Sequence, residues 1–111
     1  MKIRIEEQGN VSVIRLDGKL TTGSGDVSLR QTIKDLLDKD RKSILIDMAR
    51  VKNIDSGGIG EMVSSYTTAK NRGAALKLLN MPERAMAIFH MTQLITVFEV
   101  YEDEKEALTS F

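Results

Sequence analysis

Apolar and polar residues alternate along the first part of the chain, which is the pattern of half-buried β-strands. Ile3 and Ile5 alternate with charged residues, and residues 11–17 form a second segment of strand character. The turn residues Gln8-Gly9-Asn10 lie between the two segments, and Asp17-Gly18 is expected to end the second one. The short spacing predicts an antiparallel hairpin at the start of the fold.

Helical and strand patterns then alternate along the rest of the chain. The predicted elements are a helix with Leu29, Ile33, Leu36 and Leu37 on one face, a buried strand at Ile44 to Met48, a helix from Ser56 to about Asn71, a strand at Ala75 to Leu79, a short helix opened by Pro82, a strand at Thr96 to Tyr101 and a helix at Glu102 to Leu108. Such alternation predicts right-handed βαβ crossovers. The fold class is therefore α/β, with residues 1–111 as a single domain. Its sheet is mostly parallel, with an N-terminal antiparallel strand and helices in βα alternation.

Composition narrows the classes of function that the chain can serve. Sixteen Lys and Arg residues balance sixteen Asp and Glu residues, so no long-range field selects nucleic acid. The absence of cysteine excludes a disulfide framework, a thiolate metal site and a Cys nucleophile. No apolar run is long enough to span a bilayer, and the N-terminus opens directly into strand residues. We expect a cytoplasmic protein without a nucleic-acid or membrane partner.

The run from Lys52 to Gly60, with Asp55-Ser56-Gly57-Gly58 at its centre, joins the predicted buried strand to the next helix. Backbone N–H groups at the start of a helix are unpaired and favour anions, and Asp55 or Ser56 is placed to cap them. Capping does not explain two consecutive glycines, each of which costs about 1 kcal/mol against Ala in a helix interior. We interpret Gly57 and Gly58 as a bare surface that another molecule can approach closely.

A second segment rich in glycine and hydroxyl groups, residues 18–25, contains Thr21, Thr22 and Ser24. Two interpretations of this segment stay open. It is either a flexible loop leading into a helix that Ser24 or Asp26 caps, or one wall of the same surface that presents Ser56.

Enzymatic chemistry finds little support in the sequence. The glycine run is not a Walker loop, because no Lys-Ser/Thr pair follows it, and Ile54 stands where a nucleophile elbow needs glycine. The single histidine, His90, lies late on a short predicted helix, where contact with terminal carbonyls is commoner than catalysis. Asp17, Asp47 and Asp55 follow strand patterns, but Asp17 is more simply a turn residue and Asp47 is expected to face a neighbouring loop. We expect no catalytic residue, no metal site and no cofactor.

Several segments, spread over nearly the whole chain, follow the pattern of a known family. They are Val13 to Leu20, Ile44 to Met48 followed by Val51 to Gly60, Gly73 to Leu79, Met91 to Leu94, and Val97-Phe98. Through these segments the chain resembles the STAS domain, and more closely the free-standing anti-sigma factor antagonists of bacteria.

The resemblance implies a partner-switching regulator. Such a protein binds an anti-sigma factor that is also a serine kinase, and this binding releases the sigma factor. The kinase phosphorylates the antagonist on the serine after the aspartate, which ends the interaction, and a serine phosphatase reverses the modification. The implied phosphorylation site is Ser56. The implied partner-binding residues are Asp55, Ser56, Gly57, Gly58, Thr21, Thr22 and Ser24.

The chain departs from the family pattern at two positions. Gly57 stands where Ser or Thr is frequent, and Gln93 stands where glycine is frequent, in the loop before the last strand. Two alternative functions stay open. One is a STAS module that regulates another signalling or transport complex, and the other is a small nucleotide- or phosphate-binding enzyme that uses Ser56 and residues 18–25.

Overall fold

Five strands form one sheet whose spatial order follows the chain in the computed structural model, which describes residues 1–111. They are β1 (Lys2–Gln8), β2 (Val11–Leu20), β3 (Ser43–Ile54), β4 (Ala75–Leu79) and β5 (Val100–Tyr101). The pair β1–β2 is antiparallel, and the other three neighbouring pairs are parallel. The predicted α/β class, with one N-terminal antiparallel strand and an otherwise parallel sheet, is confirmed.

Four α-helices alternate with the strands. They are α1 (Gly25–Asp38), α2 (Ser56–Asn71), α3 (Glu83–Met91) and α4 (Glu104–Thr109), and a 3₁₀ turn covers Leu94–Thr96. The predicted bounds of α2 and β4 agree with the structure. Gly73, which follows α2, has a φ of 75°, a conformation that suits a helix stop. The last helix starts later than predicted, because Asp103 is its N-cap and accepts the backbone N–H of Lys105.

Apolar side chains cover both faces of the central strands. On one face, Ile14 and Leu16 of β2 pack with α1, α2 and α3 in a cluster of 17 buried residues. On the other face, Val13 of β2 and Leu45 of β3 pack with Ala107 of α4. This two-sided burial explains the continuous apolar run of β3. Each fully buried Leu or Ile side chain stabilises the fold by about 1.5–3 kcal/mol.

The parallel pair β2–β3 is longer than the sequence predicts. The prediction that Asp17-Gly18 ends β2 is wrong, since the strand continues to Leu20. Gly18 adopts a φ of 128°, and two register shifts between β2 and β3 absorb the irregularity. Because Leu20 pairs with Ile54, β3 also runs past Met48, its predicted end.

The last strand is much shorter than the predicted span of Thr96 to Tyr101. Only Val100–Tyr101 pair with β4, although the carbonyl of Glu99 still accepts the backbone N–H of Leu78 at 3.0 Å. The buried ring of Phe98 explains the difference, because its centroid lies 5.1 Å from the ring of Phe89 and 4.8 Å from that of Tyr66. Aromatic packing against α2 and α3 therefore holds this segment outside the ladder.

Candidate functional site

Two loops meet at the carboxyl ends of β2 and β3, which is the edge where open α/β sheets place their sites. The carboxylate of Asp55 accepts the backbone N–H of Thr22, with both oxygens at 3.1 Å. It also accepts the backbone N–H of Gly58 at 2.9 Å. The side chain of Asp55 thus links the loop after β2 to the first turn of α2 through hydrogen bonds.

Asp55, rather than Ser56, caps α2. The structure places Asp55 at the N-cap position, with extended backbone. Hydrogen bonds from the backbone N–H groups of Gly58 and then Thr22 hold the pKa of the Asp55 carboxyl below its ordinary value of 3.8. The carboxylate is therefore charged at neutral pH, and its charge faces a helix terminus that favours it.

Ser56 is the first residue of α2 and is exposed to solvent. Its hydroxyl takes part in none of the side-chain hydrogen bonds of the fold, because Asp55 already satisfies the helix start. The backbone beneath it is held by the bond from the N–H of Ile59 to the carbonyl of Asp55, at 2.9 Å. An exposed hydroxyl group therefore lies on a well-ordered turn and makes no hydrogen bond within the fold.

The interpretation of Gly57 and Gly58 as a bare surface is wrong. A Cβ atom on Gly57 would overlap the side chain of Thr22, and one on Gly58 would overlap the carbonyl oxygen of Leu20. The end of β2 and the β2–α1 loop of the same chain make the close approach, so the glycines let these segments pack on α2. Their membership of a partner-binding surface stays a prediction. Gly60, one turn further along, is the exposed glycine with open space beside it.

The segment that contains Thr21, Thr22 and Ser24 forms a wall next to Ser56. Thr22 contacts Gly57 and Asp55, and the carbonyl of Thr21 accepts the backbone N–H of Ser24 at 3.0 Å. Ser24 occupies the N-cap of α1 without a capping bond from its side chain. A role for these residues in partner binding stays a prediction.

A small cleft of about 170 Å³ opens beside Asp55. Its lining consists of Thr21, Val51, Lys52, Asn53, Ile54, Asp55, Pro82 and Arg84. Lys52 and Arg84 are exposed and, like five other cations of the chain, take part in none of the salt bridges of the fold. Sequence analysis missed Arg84, because only the β4–α3 connection brings it to this edge.

Residues 2–107 match the STAS domain family. The chain belongs to this family. The anti-sigma-B factor antagonist of Bacillus subtilis (strain 168) is 25% identical to this STAS domain over 100 residues, which is 90% of either chain. The sequence prediction of the family is thereby confirmed.

Two solved structures show the same fold. An anti-sigma factor antagonist from Mycobacterium paratuberculosis superposes with a TM-score of 0.85 at 20% identity, over 98% of this chain and 92% of that chain. The Bacillus cell fate determinant SpoIIAA in its phosphorylated form gives a TM-score of 0.76 at 21% identity, over 98% of both chains. This STAS domain is thus similar to anti-sigma factor antagonists over almost its entire length.

Of the remaining candidate residues of this STAS domain, Asp17 and Asp47 line one cavity, which neither Asp55 nor His90 lines. The carboxylate of Asp47 accepts hydrogen bonds from the side chain of Arg15 at 2.8 Å and from the side chain of the loop residue Asn80 at 3.3 Å. Asp17 lies within β2. His90 is exposed in the last turn of α3. No three His, Asp or Glu side chains form a group that could hold a metal ion. None of the helices has the length and apolar character that crossing a membrane requires.

Proposed function

We propose that this STAS domain is an anti-sigma factor antagonist that binds a serine-kinase anti-sigma factor and is released when Ser56 is phosphorylated. The observation that carries the proposal is that Asp55, and not Ser56, caps the helix. Asp55 caps α2 and binds the neighbouring loop through the N–H of Thr22, whereas Ser56 presents an exposed hydroxyl that makes no hydrogen bond within the fold. A kinase could therefore modify Ser56 without dismantling the helix.

Phosphorylation at this position acts on the interface and leaves the fold in place. Phosphoserine adds a charge of about −1.5 to −2 at neutral pH. The first turn of a helix favours negative charge, so α2 tolerates the phosphate. A partner surface packed against Ser56 loses its contacts when that bulk and charge appear. The switch is then local and requires no large conformational change.

The cations beside the site indicate the charge of the partner. Lys52 and Arg84 line the cleft next to Asp55 and have no acidic side chain of this chain in a salt bridge. Complementary charge across an interface steers association and sets specificity. We infer that the anti-sigma factor presents carboxylates to Lys52 and Arg84. A phosphate on Ser56 would repel those carboxylates and would also compete for the same cations.

The comparisons support this function by similarity. The curated relative is named as an anti-sigma-B factor antagonist, and SpoIIAA has been solved in a phosphorylated form. Reversal of the switch then requires a serine phosphatase that reaches the same exposed junction. No cofactor takes part in the mechanism that we propose.

The experiment that tests the proposal is a phosphorylation reaction with the kinase-type anti-sigma factor of the same organism and ATP. Mass spectrometry of the product is expected to place the phosphate on Ser56, and Ser56→Ala should remain unmodified. Ser64, an exposed serine two turns further along α2, provides the matched control, because Ser64→Ala should be modified as the native chain is. Phosphate at Thr21, Thr22 or Ser64 with Ser56 untouched would overturn the proposal.

A further inference from the structure

The strand β1 forms an open edge of the sheet. It pairs only with β2, in an unbroken register from Lys2 opposite Asp17 to Gln8 opposite Val11. Proteins usually protect such an edge with a short strand, a proline, a bulge or charged side chains, and β1 has only the charges. Here β1 has seven residues, and it contains neither proline nor a register shift. Its outer row of N–H and C=O groups is thus suited to receive another strand.

The charges of β1 are ordered along its length. Lys2 and Arg4 lie in the first half, and Glu6 and Glu7 lie in the second half. Ile5, at the centre, is 44% exposed. When two copies of such a strand run antiparallel, the basic half of each meets the acidic half of the other. We propose that β1 is a homodimerisation edge, and that a second copy of this chain adds its own β1 to it in antiparallel orientation.

Electrostatics selects one register for this pairing. Residues that lie opposite each other in an antiparallel sheet point to the same face. Because side chains alternate between the two faces, a residue of one copy can face only the same residue, or one an even number of positions away, in the other copy. Two of the central registers place Arg4 opposite Arg4 or Glu6 opposite Glu6, and like charges in direct opposition are destabilising. The register between them places Ile5 opposite Ile5 and Arg4 opposite Glu6 twice. The exposed isoleucines then cover each other.

Salt bridges within the single chain already hold Arg4 and Glu6 on the same face of the sheet. Arg4 and Glu6 form a salt bridge at 3.0 Å within the same strand, and Arg15 of β2 holds Glu6 at 3.1 Å. The hydrogen bond from Arg15 is the main cause that lowers the pKa of the Glu6 carboxyl, so Glu6 is charged at neutral pH. Arg4 is 70% exposed and can turn from its own Glu6 to that of the second copy.

The interface joins two strands only, so it falls in the class of small, weak contacts. The experiment is sedimentation velocity of the full chain from micromolar to millimolar concentration, where the native protein should pass from monomer to dimer. Arg4→Glu and Glu6→Arg should each weaken dimerisation by about tenfold or more. An equimolar mixture of these two variants should form a heterodimer, because one copy supplies two acidic and the other two basic side chains. The double variant Arg4→Glu/Glu6→Arg should dimerise again.

A further variant and a control separate this edge from other surfaces. Ile5→Lys leaves the contact between Arg15 and Glu6 intact, and it should stay monomeric because two lysines meet at the symmetry axis. Lys39→Glu, an exposed site after α1 without a salt bridge, should dimerise as the native chain does. A native chain that is monomeric at the highest concentration would overturn the proposal. Single variants that dimerise normally, or a mixture that remains monomeric, would overturn it as well.

Discussion

The carboxylate of Asp55 accepts the backbone N–H of Thr22, a residue 33 positions earlier in the chain, with both oxygens at 3.1 Å. The same carboxylate caps α2 through the N–H of Gly58. The parallel strands β2 and β3 bring Thr22 and Asp55 together, because Leu20 at the end of β2 pairs with Ile54 at the end of β3. The loops that follow the two strands therefore lie at the same edge of the sheet. The surface around Ser56 is consequently a fixed arrangement of two loops and not a single exposed turn.

Stability should depend on the charge of Asp55, and in a definite pH range. Asp55→Asn keeps a side chain that can cap a helix but loses the charge, so it should melt at a lower temperature than the native chain at neutral pH. The folded-state pKa of Asp55 is depressed, so its stabilisation is fully present above the ordinary value of 3.8 and is lost as the pH falls through the folded-state pKa. Melting curves from neutral to acidic pH should show the two proteins converging in acid. A difference in melting temperature that stays constant over this range would contradict the role of the charge.

The glycines of α2 should respond to alanine in opposite directions. Gly58→Ala forces a Cβ atom against the carbonyl of Leu20, and it should lower the free energy of unfolding by about 3 kcal/mol or more. Gly60→Ala, the matched control on the same helix, meets open space and should raise it by roughly 0.5–1 kcal/mol. Urea denaturation measures both values. Equal effects of the two substitutions would show that Leu20 does not set the requirement for glycine.

Gln93 carries backbone strain that glycine would relieve. Its φ of 64° lies in the left-handed region, which is unfavourable for a residue with a Cβ atom. Gln93→Gly should raise the free energy of unfolding by about 0.5–1 kcal/mol, because the relief exceeds the added freedom of the unfolded chain. Gln93→Ala keeps the strain and is the control. Chemical denaturation that finds the glycine variant less stable than the alanine variant would refute this account.

Lys52 and Arg84 should contribute to partner affinity through charge. Lys52→Glu and Arg84→Glu are each expected to weaken binding of the kinase-type anti-sigma factor by about tenfold at low ionic strength. The effect should shrink in high salt, because exposed charges are screened. Lys39→Glu makes the same change of charge after the last residue of α1, at the far end of that helix, and should bind as the native chain does. Calorimetric titration that finds the three variants alike would remove the acidic partner surface from the proposal.

Features that depend on local sequence were predictable. The bounds of α2 and β4 follow from the periodicity of each segment and from the stop signal at Gly73, which lies between them. The assignment of Ser56 to a loop-to-helix junction has the same origin. The family resemblance then supplied the hypothesis about what that junction does.

Features that depend on partners distant in sequence were not predictable. The extension of β3 needs the pairing of Ile54 with Leu20, and the requirement for glycine at position 58 comes from the carbonyl of that same Leu20. The shortness of β5 follows from the packing of the Phe98 ring against the tilted rings of Phe89 and Tyr66. Periodicity along one segment carries no information about which segment packs against it.

The affinity of the kinase-type anti-sigma factor for unmodified and Ser56-phosphorylated protein tests the central claim most directly. Ser56→Ala should bind as the unmodified chain does and melt close to it, because Asp55 supplies the helix cap. Phosphorylation should weaken binding by about 100-fold or more, which corresponds to roughly 3 kcal/mol, and Ser56→Asp should weaken it partly because it carries less charge. Equal affinity of the unmodified and phosphorylated proteins would place Ser56 outside the interface and contradict the switch.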